Sequence, residues 1–177
     1  MRILLSARLL SSIIFLMSHI RRTVVNKACS VGTLALSMIT VALTLLALQP
    51  AFAQTAQSLP TIDLYVGMHR LQTEVASKPA DRATGLMWRK SMPDNQAMLF
   101  IFNSYALHCF WMRNTFIPLS IAFLRDDGSI VNIEHMQPQQ ETSHCPAEPV
   151  RYALEVNQGW FDNRNVSPPM KVRGLPN

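Results

Sequence analysis

The first 53 residues contain no aspartate or glutamate, although the chain of 177 carries 11 acids against 16 Lys and Arg. Arg2, Arg8, Arg21, Arg22 and Lys27 all fall in that acid-free segment, and they account for the whole formal surplus of +5. Residues 54–177 hold 11 basic and 11 acidic side chains and are neutral overall. A balanced region offers no field to attract nucleic acid or anionic lipid, so neither partner is expected for it. Cysteine is also scarce, with Cys29, Cys109 and Cys145 and no C-x-x-C pair. That spacing gives zinc no strong signature. There is no phosphate loop, no dinucleotide fingerprint and no G-x-S-x-G elbow. No cofactor is therefore expected, and no catalytic residue is assigned. Internal repeats are absent, and no helix-period stripe is long enough for a bundle. Composition further excludes a long disordered chain, a collagen-like repeat and several domains.

What is present divides at Ala53. The front segment is apolar at 33 of 53 positions, the remainder at 53 of 124. Arg21, Arg22 and Lys27 precede an uncharged stretch, 31–48. Gln49-Pro50 ends it, and Ala51-Phe52-Ala53 follows as an A-x-A site. This is the layout of a secretory signal, with cleavage after Ala53 and a periplasmic or secreted product. Met17 would start a more ordinary signal, so it is a candidate true start. The alternative is an inner-membrane anchor, because about 17–25 apolar residues can span a bilayer.

Residues 54–61 are polar, end near Pro60, and read as a flexible lead-in to one domain, 62–177. Ile62, Leu64 and Val66 alternate with polar residues, and Leu71, Thr73 and Val75 resume after Gly67-Met68-His69. This predicts a β-hairpin. Ser77 and Pro79 announce a short helix that stops at Gly85. Further strands are predicted over 97–102, 109–112, 119–124 and 150–156. Asp126-Asp127-Gly128 marks a tight turn into a return strand through Ile130, Val131 and Ile133. Three prolines within 137–149 predict a long surface loop, and Gly159-Trp160-Phe161 a helical turn. The fold class is mainly β (α+β): a closed or two-layer, barrel-like sheet with one or two short helices.

Three ordered blocks resemble the domain of unknown function 192 family. They are Asp81-Arg82-Ala83-Thr84-Gly85-Leu86-Met87-Trp88-Arg89 with Met98-Leu99-Phe100; Phe110-Trp111-Met112-Arg113-Asn114-Thr115 with Ile117-Pro118-Leu119 and Ile121-Ala122-Phe123; and Arg151-Tyr152-Ala153-Leu154-Glu155-Val156 with Gly159-Trp160. The resemblance runs from about residue 62 to 172. It implies a compact, mainly β, often exported domain with no agreed activity. Family members end in a Gly-Asp-x-Val-like strand. Here the tail reads Ser167-Pro168-Pro169-Met170-Lys171-Val172, which leaves its final strand open.

Arg82, Arg89, Arg113 and Arg151 stand among apolar residues, where a charge is costly unless paired. One reading pairs them with Glu155, Asp81 and backbone carbonyls. The other gathers Arg82, Arg89, Asn114, Thr115 and Glu155 around Trp111 as a cleft for a small polar or anionic ligand. Three functions remain. The first is a non-catalytic ligand-binding or accessory domain. The second is an enzyme on envelope carbohydrate, with Glu134 and Glu155 as paired carboxylates. The third is a metal or redox protein built on His108-Cys109 and His144-Cys145, with His135, Met112 and Met136 in reserve. Adjacent strand residues face opposite ways, which hinders that last site. An oxidising compartment instead favours a Cys109–Cys145 disulfide, and no metal is assigned. Such a bond would clip the Pro-rich loop beside Trp111 and stabilise by roughly 3–4 kcal/mol.

Overall fold

The computed structural model describes residues 54–176. The apolar stretch 31–48, the Ala51-Phe52-Ala53 site, Met17 and the rest of the leader lie outside them. Seven strands form one sheet: β1 (Thr61–Val66), β2 (His69–Ala76), β3 (Gln96–Ala106), β4 (Leu119–Leu124), β5 (Ile130–Met136), β6 (Val150–Asn157) and β7 (Val172–Arg173). Their order is β5-β4-β6-β3-β2-β1-β7. Among the described residues, no helix is long and apolar enough to cross a membrane.

The hairpin forms as the alternation predicts, pairing Leu64 with Leu71. Gly67 opens its turn at φ 59°, where a side chain would be strained. A short helix, α1 (Pro79–Thr84), then carries the chain over, so that β3 runs parallel to β2. Pro79 sits in its first turn and Gly85 ends it, as expected. The N-cap is Lys78, without a side-chain cap bond, rather than Ser77. Its neighbour Pro79 lacks an N–H in any case, so less is left to cap.

All other pairings are antiparallel. The sheet curls into a half-barrel, and one end is drawn together by the tail. The Val172 N–H donates to Gly128 O (2.9 Å) and the Ile130 N–H to Met170 O (2.9 Å). Gly128 is required there, because a Cβ would lie 2.1 Å from Val172 O. The tail thus does form a strand, of two residues, paired with β1.

Alternation along the strands splits the core in two. Leu64, Leu71, Leu99, Leu124, Leu154, Trp160 and Phe161 fill one face of the curl. Met98, Phe100, Ile121 and Phe123 occupy the other, covered by Leu86, Met92, Met112 and Ile117 from the connections. Apolar side chains on both faces explain why β4 and β6 read as near-continuous apolar runs.

Two expectations are corrected. Residues 109–112 are not a strand: only Phe110 pairs, in one bridge with His144. The chain turns at once through Arg113 and Asn114, the latter at φ 58°. Nor is the end of the lead-in free. The Gln57 side-chain amide donates to Asp81 O and Gly85 O (both 2.8 Å), the Val75 N–H donates to Pro60 O, and Leu59 packs on the covered face. Gln57 thereby gives Asp81 O a second donor beside the Gly85 N–H and satisfies Gly85 O just past the end of α1. The long loop over 137–149 is present. The turn at Gly159 leads into a single 3-10 turn, Asp162–Arg164.

Candidate functional site

Strand pairing lays one row of side chains across the covered face. In the register, Glu74 is opposite Met98, Met98 opposite Glu155, Glu155 opposite Ile121, and Ile121 opposite Glu134. Three glutamates thus alternate with apolar residues, and the connections that cover the face give each a different setting.

Glu155 lies at the centre, 4% exposed. It borders a small cavity of about 40 Å³ whose walls include Arg82, Leu86, Phe100, Phe110, Trp111 and Thr115. That is close to the roughly 30 Å³ one water occupies in the liquid. Burial pushes the Glu155 carboxyl up to about 8, with no cation or hydrogen bond acting against it. At neutral pH it is mostly protonated and carries an O–H donor. Thr115, buried at the next corner, adds a hydroxyl.

Arg82 is held in place by carbonyls: its guanidinium donates to Ser77 O and to Ile101 O (2.9 Å) and lies 5.1 Å from the Phe102 ring centroid. Trp111 is 47% exposed and carries the Arg113 guanidinium at 5.6 Å. The Cys109–Cys145 disulfide closes a loop of sequence separation 36 and ties the segment bearing Phe110 and Trp111 to the Pro-rich loop.

Of six residues expected in one cleft, Arg82, Trp111, Thr115 and Glu155 line this cavity. Asn114 adjoins it: its carbonyl accepts from the Trp88 N–H (2.8 Å), and its amide nitrogen is 4.0 Å from Met87 Sδ. Arg89 is elsewhere. Trp88 adopts φ 62°, which turns the chain so that Arg89 reaches across to Glu74 (2.6 Å) on β2. The expected pairing of arginines with Glu155 and Asp81 is corrected as well. Arg89 has Glu74 and Gln57 O, Arg151 has Phe102 O and Asp126, and Arg113 has Glu141 at 4.0 Å. Sequence reasoning passed over Leu86, Phe100 and Phe110, although each lies inside a block singled out for other residues. It also passed over Glu74, whose alternation in β2 was the available signal.

Catalytic geometries are poorly served. Glu134 is partly exposed, with His144 Nδ1 at 3.8 Å, and buried Ile121 stands between it and Glu155 in the register. Ser120 Oγ, His135 Nδ1 and Asp162 do line up, at 3.0 Å and 3.5 Å. Ser120 is fully buried, however, and its Oγ accepts the Gly159 N–H (3.1 Å), so a substrate carbonyl has no approach. The disulfide takes up both thiols that a Cys-His metal site would use. His108 stacks on Phe102, with ring centroids 3.6 Å apart.

The model of the family DUF192, described as an uncharacterized ACR, matches residues 62–174. Crystal structures that resemble the chain include two from bacteria. One is a protein of unknown function from Novosphingobium aromaticivorans DSM 12444, 33% identical, covering 71% of this chain and 90% of its own, at TM-score 0.63. The other, from Sinorhizobium meliloti 1021 and described provisionally as a transcription regulator, is 33% identical, covering 69% and 98%, at TM-score 0.62. No curated protein matches the chain.

Proposed function

Because the chain belongs to the domain of unknown function 192 family, which carries no named activity, we propose a function from the site alone: an exported, non-catalytic domain that binds a small polar or anionic group at the Glu155 cavity. The observation that carries this reading is a carboxyl only 4% exposed that borders a cavity and draws no charge or hydrogen bond from the described residues to offset its desolvation. A buried polar group left unpaired costs roughly 1–3 kcal/mol, so the fold gains nothing by keeping it there for itself. A bound oxygen would supply the missing partner. The neutral carboxyl can donate to it, Thr115 can donate to or accept from it, and Arg82 adds positive charge. Phe100, Phe110 and Trp111 exclude water. The cavity has room for one such atom, so it takes the tip of a ligand (a carbonyl, carboxylate or hydroxyl oxygen) whose remainder lies toward exposed Trp111. Export is supported by the acid-free leader, the A-x-A site and the need of a disulfide for an oxidising compartment.

The test is a thermal-shift screen of protein expressed from the full chain, with sugars, nucleotides, organic acids and divalent metals. An oxygen-bearing ligand should raise the Tm of wild type and of Glu155→Gln, and have little effect on Glu155→Ala. No shift from any class, or one that survives Glu155→Ala, would sink the reading. Amino-terminal sequencing of the exported product should begin at Gln54.

A further inference from the structure

A second cleft opens at the Glu74 end of the same row, and none of its lining residues is shared with the Glu155 cavity. Its volume is about 450 Å³. That falls in the range of small-molecule sites, roughly 300–1,000 Å³. Register builds one wall. Gln72 and Gln96 are direct partners on β2 and β3, so their amides project side by side, and Glu74 follows Gln72 on the same face. The turn after α1 builds the other wall with Trp88, Arg89 and Lys90.

The charges largely answer each other. Glu74 Oε1 meets Arg89 at 2.6 Å, each side chain only 12% exposed, while Oε2 accepts the Leu59 N–H (2.7 Å). The Arg89 Nε–H is buried and has no partner. An anion here would face the Glu74 carboxylate, and a cation would face Arg89 and Lys90. The amides of Gln72 and Gln96 each offer a donor and an acceptor, and Trp88 supplies an aromatic wall. A hydroxyl both donates and accepts, so a neutral ring bearing several hydroxyls answers all of these groups together. Trp88 also holds a backbone conformation that a bulky side chain rarely adopts, at φ 62°, and such strain gathers at functional positions.

We infer that the cleft between Trp88 and the Gln72–Gln96 pair is a binding site for a neutral saccharide, on the scale of one or two sugar rings. It goes beyond the Glu155 reading and stands or falls separately.

The experiment is a titration of protein expressed from the full chain with glucose, N-acetylglucosamine and its β-1,4 dimer, followed by tryptophan fluorescence and saturation-transfer NMR. At least one probe should bind with millimolar affinity or better. Gln72→Ala/Gln96→Ala should raise its Kd about ten-fold or more, the equivalent of one or two lost hydrogen bonds. Gln72 is exposed in the middle of β2 and Gln96 is half-buried at the start of β3, so that variant keeps the fold if Trp88→Ala does not. Absence of binding by all three sugars would overturn the inference, and so would affinity unchanged in the double variant. Binding that instead vanishes in Glu155→Ala, or preference for citrate over every sugar, would overturn it too.

Discussion

Glu74 and Glu155 occupy one cross-strand row with only Met98 between them, about 10 Å apart at two strand spacings. Glu74 is surrounded by answers: Arg89 on one oxygen and the Leu59 N–H on the other. Glu155 is more deeply buried, and neither a cation nor a hydrogen bond offsets its desolvation. The same residue type on the same face is thus a structural clasp at one end and an open valence in the middle. A clasp fastens the lead-in and the 88–91 turn to β2. An unpaired carboxyl weakens the fold, and a partner from outside the chain would relieve that.

The largest effect expected from breaking this contrast is at the clasp. Arg89→Met leaves Glu74 nearly buried without its cation and should cost about 3–5 kcal/mol in denaturant unfolding. Arg89→Met/Glu74→Met should recover most of that loss, because no orphan charge remains. Glu155 needs no such rescue: among the described residues none partners its carboxyl, so no removal strands it.

Reducing the disulfide should cost about 3–4 kcal/mol by the loop-entropy argument, read as a shift in the denaturant midpoint. Because the bond ties down Phe110 and Trp111, reduction should loosen the Glu155 cavity and leave the Arg89 cleft unaltered. Hydrogen exchange around Phe110 and around Gln72 separates the two.

The pH dependence of stability sharpens the contrast further. The folded protein keeps the Glu155 proton up to about pH 8, whereas an unfolded glutamate releases it near 4.5. The group's favourable contribution is therefore complete below about 4.5 and is lost as pH rises through 8. Over that window stability should fall, and Glu155→Gln should flatten this part of the curve. The smallest effect belongs to Gln57→Ala, which removes two hydrogen bonds to the end of α1. It should cost about 1 kcal/mol and be seen mainly as faster proteolysis of the lead-in.

The contrast also marks where sequence reading stops. The hairpin, Gly85 as a helix stop, the Asp-Asp-Gly turn and the strands around Ala122 and Leu154 were legible because each depends on local periodicity or a special backbone angle. The Cys109–Cys145 bond was legible by elimination. β3 runs beyond Phe102 through exposed Asn103 and Ser104, which apolar patterning does not flag. The 109–112 segment looked like a strand and is a loop, because its one paired residue borders a disulfide and a left-handed turn. Arg82, Trp111, Thr115 and Glu155 come together around one cavity, and each sits in a dense, apolar-flanked block that the sequence marks out. Arg89 was misplaced by one backbone angle at Trp88. Alternation in β2 marks the face on which Glu74 lies, but the 15 residues to Arg89 span a helix and a turn and leave no spacing that pairs the two.

The most direct test of the account is a ¹³C NMR titration of the Glu155 side-chain carboxyl, assigned by its disappearance in Glu155→Gln. The account predicts a midpoint near 8, well apart from the other glutamates, and a shift of that midpoint when the cavity is filled. A midpoint near 4.5 would mean that Glu155 is solvated or paired after all, and would contradict it.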